Sequence, residues 1–284
     1  MSRRGEPQEP VGNPGAYYTF DLSKDGSRLV YGRTEGGRTI LWVHDVERNV
    51  SSRLTSITSS YADPRWTDRG DVVATGWEPG PAAIVLISSD GRESTIVKSA
   101  VNNMVESVSR DGQLLLYRQR ALQLLARPLN DGSNPVVLRE IGTGGMNQAQ
   151  FSPDTRWIVF HERDESGKYE VWVIPNRPGG ERRQVSSGGG VQPIWRQDGR
   201  ELFYLGMDGA LYAVGVRPGN RPWFSAPKRL FTTGLAPPAL SVEEYAASRD
   251  GRRFLLLRPI EDRIRTSIGV IPNWPAQLTA AASK

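Results

Sequence analysis

The 284-residue sequence predicts an all-β fold, a six-bladed β-propeller with four antiparallel strands per blade. Three observations predict it. A ten-residue segment recurs six times at near-constant spacing, each copy couples an Asp-Gly-type turn to an apolar run, and no stretch carries the helical 3.6-residue period. Composition agrees: 38% apolar residues with 30 Gly and 20 Pro exclude both a disordered chain and a helical bundle.

The segment occupies residues 22–31, 66–75, 108–117, 151–160, 195–204 and 247–256. Its turn position holds Gly26, Gly70, Gly112, Thr155, Gly199 and Gly251, separated by 44, 42, 43, 44 and 52 residues. Asp precedes that position in five copies, with Arg69 in the other, and a small hydroxyl stands three residues before it in five. Glycine accepts positive φ and Asp bonds backbone amides two residues on, so these aspartates read as turn chemistry rather than metal ligands or catalysts.

Each copy continues in one order. A second apolar run follows at 40–43, 84–87, 122–125, 170–174, 211–216 and 268–271. A second turn is marked by Asp90-Gly91, Asp131-Gly132, Pro178-Gly179-Gly180 and Pro218-Gly219, and a short outer strand follows at 53–54, 95–97, 136–138, 183–185 and 229–231. Four short strands per ~40–45 residues describe a propeller blade, which buries its two faces only by stacking on its neighbours. The expected blades are 17–60, 61–101, 102–145, 146–189, 190–240 and 241–279, between a flexible arm (1–16) and a flexible tail (280–284). The inner-strand aromatics, with Trp42 and Trp172, are expected to fill the space between blades. The last outer strand is expected from a stub at 276–278, in preference to the arm near 10–12.

The function classes narrow by elimination. A formal charge of +5 without a concentrated basic block gives no case for nucleic acid. Zero cysteines exclude disulfides, thiolate metal sites and a Cys nucleophile. No apolar run approaches the ~18 residues of a membrane span, and the polar first residues carry no signal-peptide core, so a cytoplasmic monomer without membrane insertion is expected. The only histidines, His44 and His161, fall at non-equivalent positions of two repeats, which leaves zinc hydrolysis and a Ser-His-Asp triad without parts. Asp164-Glu165 and Glu243-Glu244 lack a calcium-loop pattern and read as loop charge. No cofactor is expected.

A ligand is expected on the face where second strands meet third strands and each blade leads to the next. Seven positions before each turn residue stand Thr19, Asp63, Val105, Gln148, Gln192 and Glu244, a chemically mixed column of the kind a shaped site requires. Near it should lie Trp77, Asn147, Glu162, Arg163, Tyr169 and Tyr245. The candidate contact residues are Asp63, Trp77, Gln148, Gln192, Glu244, Tyr245, Glu162 and Arg163.

The motif Phe151-Ser152-Pro153-Asp154, and next Trp195-Arg196-Gln197-Asp198-Gly199, resembles the TolB-like, WD40-like (PD40) propeller repeat. The stretches 167–173, 184–190 and 201–205, with the ending 271–278, resemble the propeller behind the kinase domain of bacterial serine/threonine protein kinases. No kinase motif and no G-x-S-x-G elbow is present, so neither kinase nor peptidase activity carries over. The mixed rim and the missing catalytic parts lead to the expectation of a non-enzymatic recognition module for a protein, peptide or small polar ligand, and the kinase resemblance implies a sensory or scaffolding role, extracytoplasmic if part of a membrane-anchored kinase. The alternative is a lactonase- or lyase-like propeller enzyme with a metal in the central channel.

Overall fold

In the computed structural model, which describes residues 1–8, 10–11, 15–77, 80–129, 132–142, 145–235 and 237–258, the repeated turn closes as its residue types demand. Ser23 Oγ donates to Asp25 Oδ1 (2.6 Å) and accepts from Arg28 N (2.9 Å), while Gly26 N donates to Ser23 O at φ +75°. The Ser–Asp bond recurs at Ser109–Asp111, Ser152–Asp154 and Ser248–Asp250. Where Arg196 replaces the hydroxyl, its guanidinium holds both oxygens of Asp198 at 2.7 Å. These turn aspartates serve geometry.

Each turn launches a meander. The first sheet is β1 (Tyr17–Leu22), β2 (Arg28–Glu35), β3 (Arg38–Asp45) and β4 (Val50–Arg53), the second β5 (Ser60–Trp66), β6 (Val72–Trp77), β7 (Ala83–Ile87) and β8 (Glu93–Val97). The third is β9 (Asn103–Val108), β10 (Leu114–Gln119), β11 (Gln123–Pro128) and β12 (Val136–Glu140). The fourth is β13 (Met146–Phe151), β14 (Trp157–Arg163), β15 (Tyr169–Pro175) and β16 (Arg183–Gln184). In the fifth, β17 (Val191–Trp195), β18 (Glu201–Leu205) and β19 (Ala210–Arg217) are followed by two short strands that share the edge of β19, β20 (Trp223–Phe224) and β21 (Lys228–Thr232). All pairings within the sheets are antiparallel.

The blade count corrects the sequence expectation: the described residues form a propeller of five complete blades, not six. Among the described residues the sixth repeat contributes β22 (Tyr245–Ala247) and β23 (Phe254–Leu256). The edge of β23, where a third strand would add, is taken by the first residues of the chain. Met1 N donates to Phe254 O (2.8 Å), Phe254 N to Met1 O (2.9 Å) and Arg3 N to Arg252 O (2.8 Å), with Ser2 bridged antiparallel to Arg253. Arg3 reaches on to Glu201 with two bonds of 2.6 and 2.9 Å. The start of the arm expected to be flexible is thus hydrogen-bonded to a sheet. The strand expected at 268–271, the stub at 276–278 and the tail lie outside the described residues, as does Asp131 of one second turn.

Apolar side chains join neighbouring sheets. Trp66 and Tyr61 pack with Val30, Leu41 and Val72 between the first two blades, and Phe151 and Met146 pack with Leu116 and Phe160 between the third and fourth. Trp195 and Tyr204 fill the next interface, and Phe203, Phe231, Tyr245 and Phe254 the one after it. Among the described residues no such cluster joins β22–β23 to the first blade, so the seam of the ring lies there. Both tryptophans are half-buried: Trp172 packs against the third interface with Arg182 over its ring at 4.1 Å, and Trp42 carries Arg53 over its ring at 5.4 Å.

Candidate functional site

The inner strands turn a free edge toward the axis, and its buried N–H groups need acceptors. Side chains of the preceding blade supply them. Asp21 Oδ2 accepts from Trp66 N (2.8 Å), Thr75 Oγ1 from Val105 N (2.9 Å) and Glu106 Oε2 from Ala149 N (2.6 Å). His161 Nδ1 accepts from Gln192 N (3.3 Å), and Gln150 Oε1 from Trp195 N (2.9 Å). Burial, then the nearby charge of Arg118, pushes His161 down to about 3, so it stands as a neutral acceptor.

Three members of the mixed column occupy β-bulges. The register breaks between Ala62 and Arg65, Asn147 and Gln150, and Val191 and Ile194, where Asp63, Gln148 and Gln192 take φ of 49°, 53° and 54°. A non-glycine residue in the left-handed region stores strain that the surroundings must hold. Here the bulges aim the three side chains inward.

The connection between the fifth and sixth repeats, which carries the extra residues of the 52-residue spacing, meets them. Gln148 Nε2 donates to Val242 O (2.7 Å), and Gln192 Nε2 to Ala239 O and Glu244 Oε2 (both 2.8 Å). Gln192 Oε1 accepts from Glu244 N (2.8 Å), and Gln192 O from the Tyr245 hydroxyl (2.8 Å). Glu243 pairs with Arg65 and accepts from Thr19 Oγ1 at 3.5 Å. Segment 239–244 therefore touches the first, second, fourth and fifth blades at once, which places it across the axis. It caps the very mouth of the channel where the sequence reading looked for a ligand.

Beneath this cap the channel wall is charged. Arg65 donates to Glu106 O (2.8 Å), and Arg118 pairs with Glu106. Asp63 Oδ2 accepts from Thr75 Oγ1 (3.2 Å). Burial, reinforced by Glu243 and opposed by Arg65, pushes Asp63 up to about 7, and burial likewise lifts Asp21 to about 6. A cavity of about 200 Å³ runs from Gln148, Gln192 and Glu243 at the cap to Lys24, Arg110 and Gln197 on the Asp-Gly-turn face, and all six repeats line it. Its outer rim is braced by Gln197 Nε2 on Lys24 O (2.7 Å), Arg110 Nη1 on Gln197 O (2.8 Å) and the Lys24 ammonium on Asp68.

The eight sequence candidates do not form one site. Asp63, Gln148, Gln192, Glu244 and Tyr245 belong to the bulges and the cap. Glu162 is buried between the third and fourth blades, held by Arg139 (3.0 Å) and Arg182 (2.5 Å). Trp77, at the end of β6, and Arg163, whose guanidinium lies 5.0 Å from the Tyr169 ring centre, are exposed on the loop face. Sequence reasoning missed Lys24, Arg110 and Gln197. They stand two positions before the turn residue in their repeats, a column as mixed as the chosen one, and the same criterion applied there finds them.

Among the described residues no group of three or more His, Asp or Glu side chains is placed to hold a metal ion. Asp164 is occupied by its own turn, accepting from Ser166 Oγ (2.7 Å) and Lys168 N (3.0 Å). No helix of the described residues is long and apolar enough to cross a membrane.

Comparison with known proteins bears on the fold. No family model and no curated protein matches the sequence. Among solved structures, a protein assigned as TolB from Agrobacterium tumefaciens superimposes with a TM-score of 0.64 at 18% identity, covering 87% of this chain and 92% of that one. TolB from Acinetobacter baumannii gives 0.57 at 14% identity over 76% of this chain and 57% of that one. An oligogalacturonate lyase in complex with manganese gives 0.56 at 15% identity over 84% and 69%. At these identities the likeness concerns the fold, and by fold the chain is a β-propeller whose structural neighbours are TolB-type and other WD40-like propellers.

Proposed function

We propose that the chain is a non-enzymatic recognition propeller that takes a peptide side chain or small polar ligand into its axial cavity from the turn face, as a sensory or scaffolding part of a bacterial signalling protein. One observation carries the reading. The cavity is lined by six repeats that agree in their turns and differ in what they aim at the axis: Asp21, Arg65, Glu106, Gln148, Gln192 and Glu243. Fixed polar groups of unlike chemistry around a half-open cavity orient a ligand by hydrogen bonds. At about 200 Å³ the space lies below the ~300–1,000 Å³ of drug-sized pockets, which favours one side chain of a larger partner.

Trp66 and Trp195 line the cavity and Trp77 stands on the opposite face, so their indole N–H resonances discriminate between the two ends. Titration of the ¹⁵N-labelled protein with a panel of charged and polar dipeptides is expected to shift Trp66 and Trp195 saturably and leave Trp77 unmoved. A panel in which nothing moves either cavity signal overturns the reading. The manganese-bound lyase among the structural neighbours supports a second reading, a metal-dependent propeller enzyme. Broadening of the Trp66 and Trp195 signals by Mn²⁺, reversed by EDTA, favours that reading instead.

A further inference from the structure

The turn face of the fourth and fifth blades carries a concentration of cations that the net charge conceals. Arg156, Arg177, Arg200, Arg217 and Arg221 are exposed there around Trp223, itself 53% exposed. They form one surface. Arg156 O accepts from Asn176 N beside Arg177 (2.8 Å), and Arg156 Nη1 reaches Asn220 Oδ1 beside Arg221 (3.4 Å). Arg200 O accepts from Val216 N beside Arg217 (2.8 Å), and Arg217 faces Trp223 across β19 and β20 with its guanidinium 4.8 Å from the ring centre. The carboxylates of the two Asp-type turns are engaged, Asp154 by Arg156 and Asp198 by Arg196, each at 2.7 Å. Glu181 is exposed in the adjoining turn. Among the described residues Arg177, Arg200, Arg217 and Arg221 make no salt bridge.

We propose that this patch docks an acidic polypeptide segment, its carboxylates on the free guanidinium forks and an apolar side chain against Trp223. Arginine presents paired donors matched to carboxylates, and an exposed tryptophan ringed by cations is the composition of an interface anchor. Single-stranded nucleic acid shares the charge requirement but calls for several open aromatic faces on which bases stack. The patch has one, and Arg217 already lies against it. None of these residues lines the axial cavity, so the proposal stands independently of the ligand assigned there.

The test is fluorescence anisotropy with a labelled Glu-rich dodecapeptide carrying one leucine, beside its Gln-for-Glu counterpart and a single-stranded oligonucleotide of equal charge. The wild-type chain is expected to bind the acidic peptide in preference to both, with affinity falling roughly tenfold between 50 and 300 mM salt. Arg177→Glu/Arg200→Glu/Arg221→Glu is expected to weaken binding by at least about tenfold and Trp223→Ala by several-fold. A loop-face control, Arg120→Glu/Lys168→Glu, should stay within twofold. All these side chains are exposed, so unchanged thermal unfolding checks each variant. Equal binding of the neutral peptide, retention of affinity by the triple variant, equal loss in the control, or tighter binding of the oligonucleotide would each overturn the proposal.

Discussion

Asp63 occupies a bulge at φ 49°, is lifted to about 7 by burial, and accepts one bond from Thr75. Its folded form holds a proton more tightly than an unfolded aspartate near 3.9 does, so this group costs nothing below about pH 4, destabilises the fold progressively as pH rises from there, and reaches its full cost above about 7. Asp63→Asn keeps an oxygen for Thr75 and removes the charge. Urea denaturation should find the variant more stable than wild type at pH 8, with the difference vanishing toward pH 4.5; a constant difference across that range contradicts the assignment. The turn aspartates behave oppositely. Hydrogen bonds from Ser23, then from Ser27, hold Asp25 at about 2, so its contribution is present above pH 4 and lost as pH falls toward 2. Thr155 is the exception in its column, a β-branched residue at φ 57° where the other repeats have glycine. Relief of roughly 1–2 kcal/mol of left-handed strain against about 0.5–1 kcal/mol of glycine's chain entropy predicts that Thr155→Gly stabilises by about 0.5 kcal/mol. A lowered denaturation midpoint would refute this.

At the level of strands and turns, local chemistry was readable because it is local. Ser-x-Asp-Gly closes on itself within six residues, and the apolar runs after it became β2, β6, β10, β14 and β18. The inner edges were not readable, because the acceptor for each N–H lies on another blade. Asp21 and Trp66 are 45 residues apart, Glu106 and Ala149 are 43. The same distance in sequence hid the cap: nothing near Gln192 announces that Glu244 will return to it. The mixed column was chosen for its chemical variety at the mouth of the inner strands, and most of its polar groups bind the protein's own segment. Glu106 shows what an edge cap is worth. It is buried, accepts from Ala149 N and pairs with Arg118. Glu106→Ala strands a cation and an amide together and should cost about 3–5 kcal/mol, read as a fall in the urea midpoint. A loss under 1 kcal/mol would mean that water replaces the carboxylate freely.

The whole molecule departs from six equal blades at its seam. The repeat count was legible because the turn motif occurs six times; the blade count was not, because among the described residues the last turn is followed by β23 and then by contacts from the other end of the chain, 253 residues away in sequence. Residues 1–3 take the edge of β23 instead, with Arg3 anchored on Glu201. Deleting residues 1–6 should speed hydrogen exchange at the Phe254 amide, which bonds Met1 O, and should lower the thermal midpoint. Arg3→Ala alone should cost under about 1 kcal/mol, since Glu201 keeps Arg196 at 2.6 Å. Protection of Phe254 that survives the deletion would remove the closing role.

In the proposed function the ring matters through which end of the axis admits a ligand. On the proposed reading, with 239–244 across the loop-face mouth, a ligand enters at the turn-face rim by displacing the bonds that tie Lys24, Arg110 and Gln197 to one another. The chain has no cysteine, so a single introduced thiol labels one place only. Arg110→Cys, exposed at the turn-face rim, and Trp77→Cys, on the loop face, are each coupled to a bulky maleimide before the dipeptide titration is repeated. The account predicts that the label at position 110 abolishes the shifts of Trp66 and Trp195 and that the label at 77 leaves them intact. Loss of the shifts from the label at 77, with binding preserved in the protein labelled at 110, would contradict it.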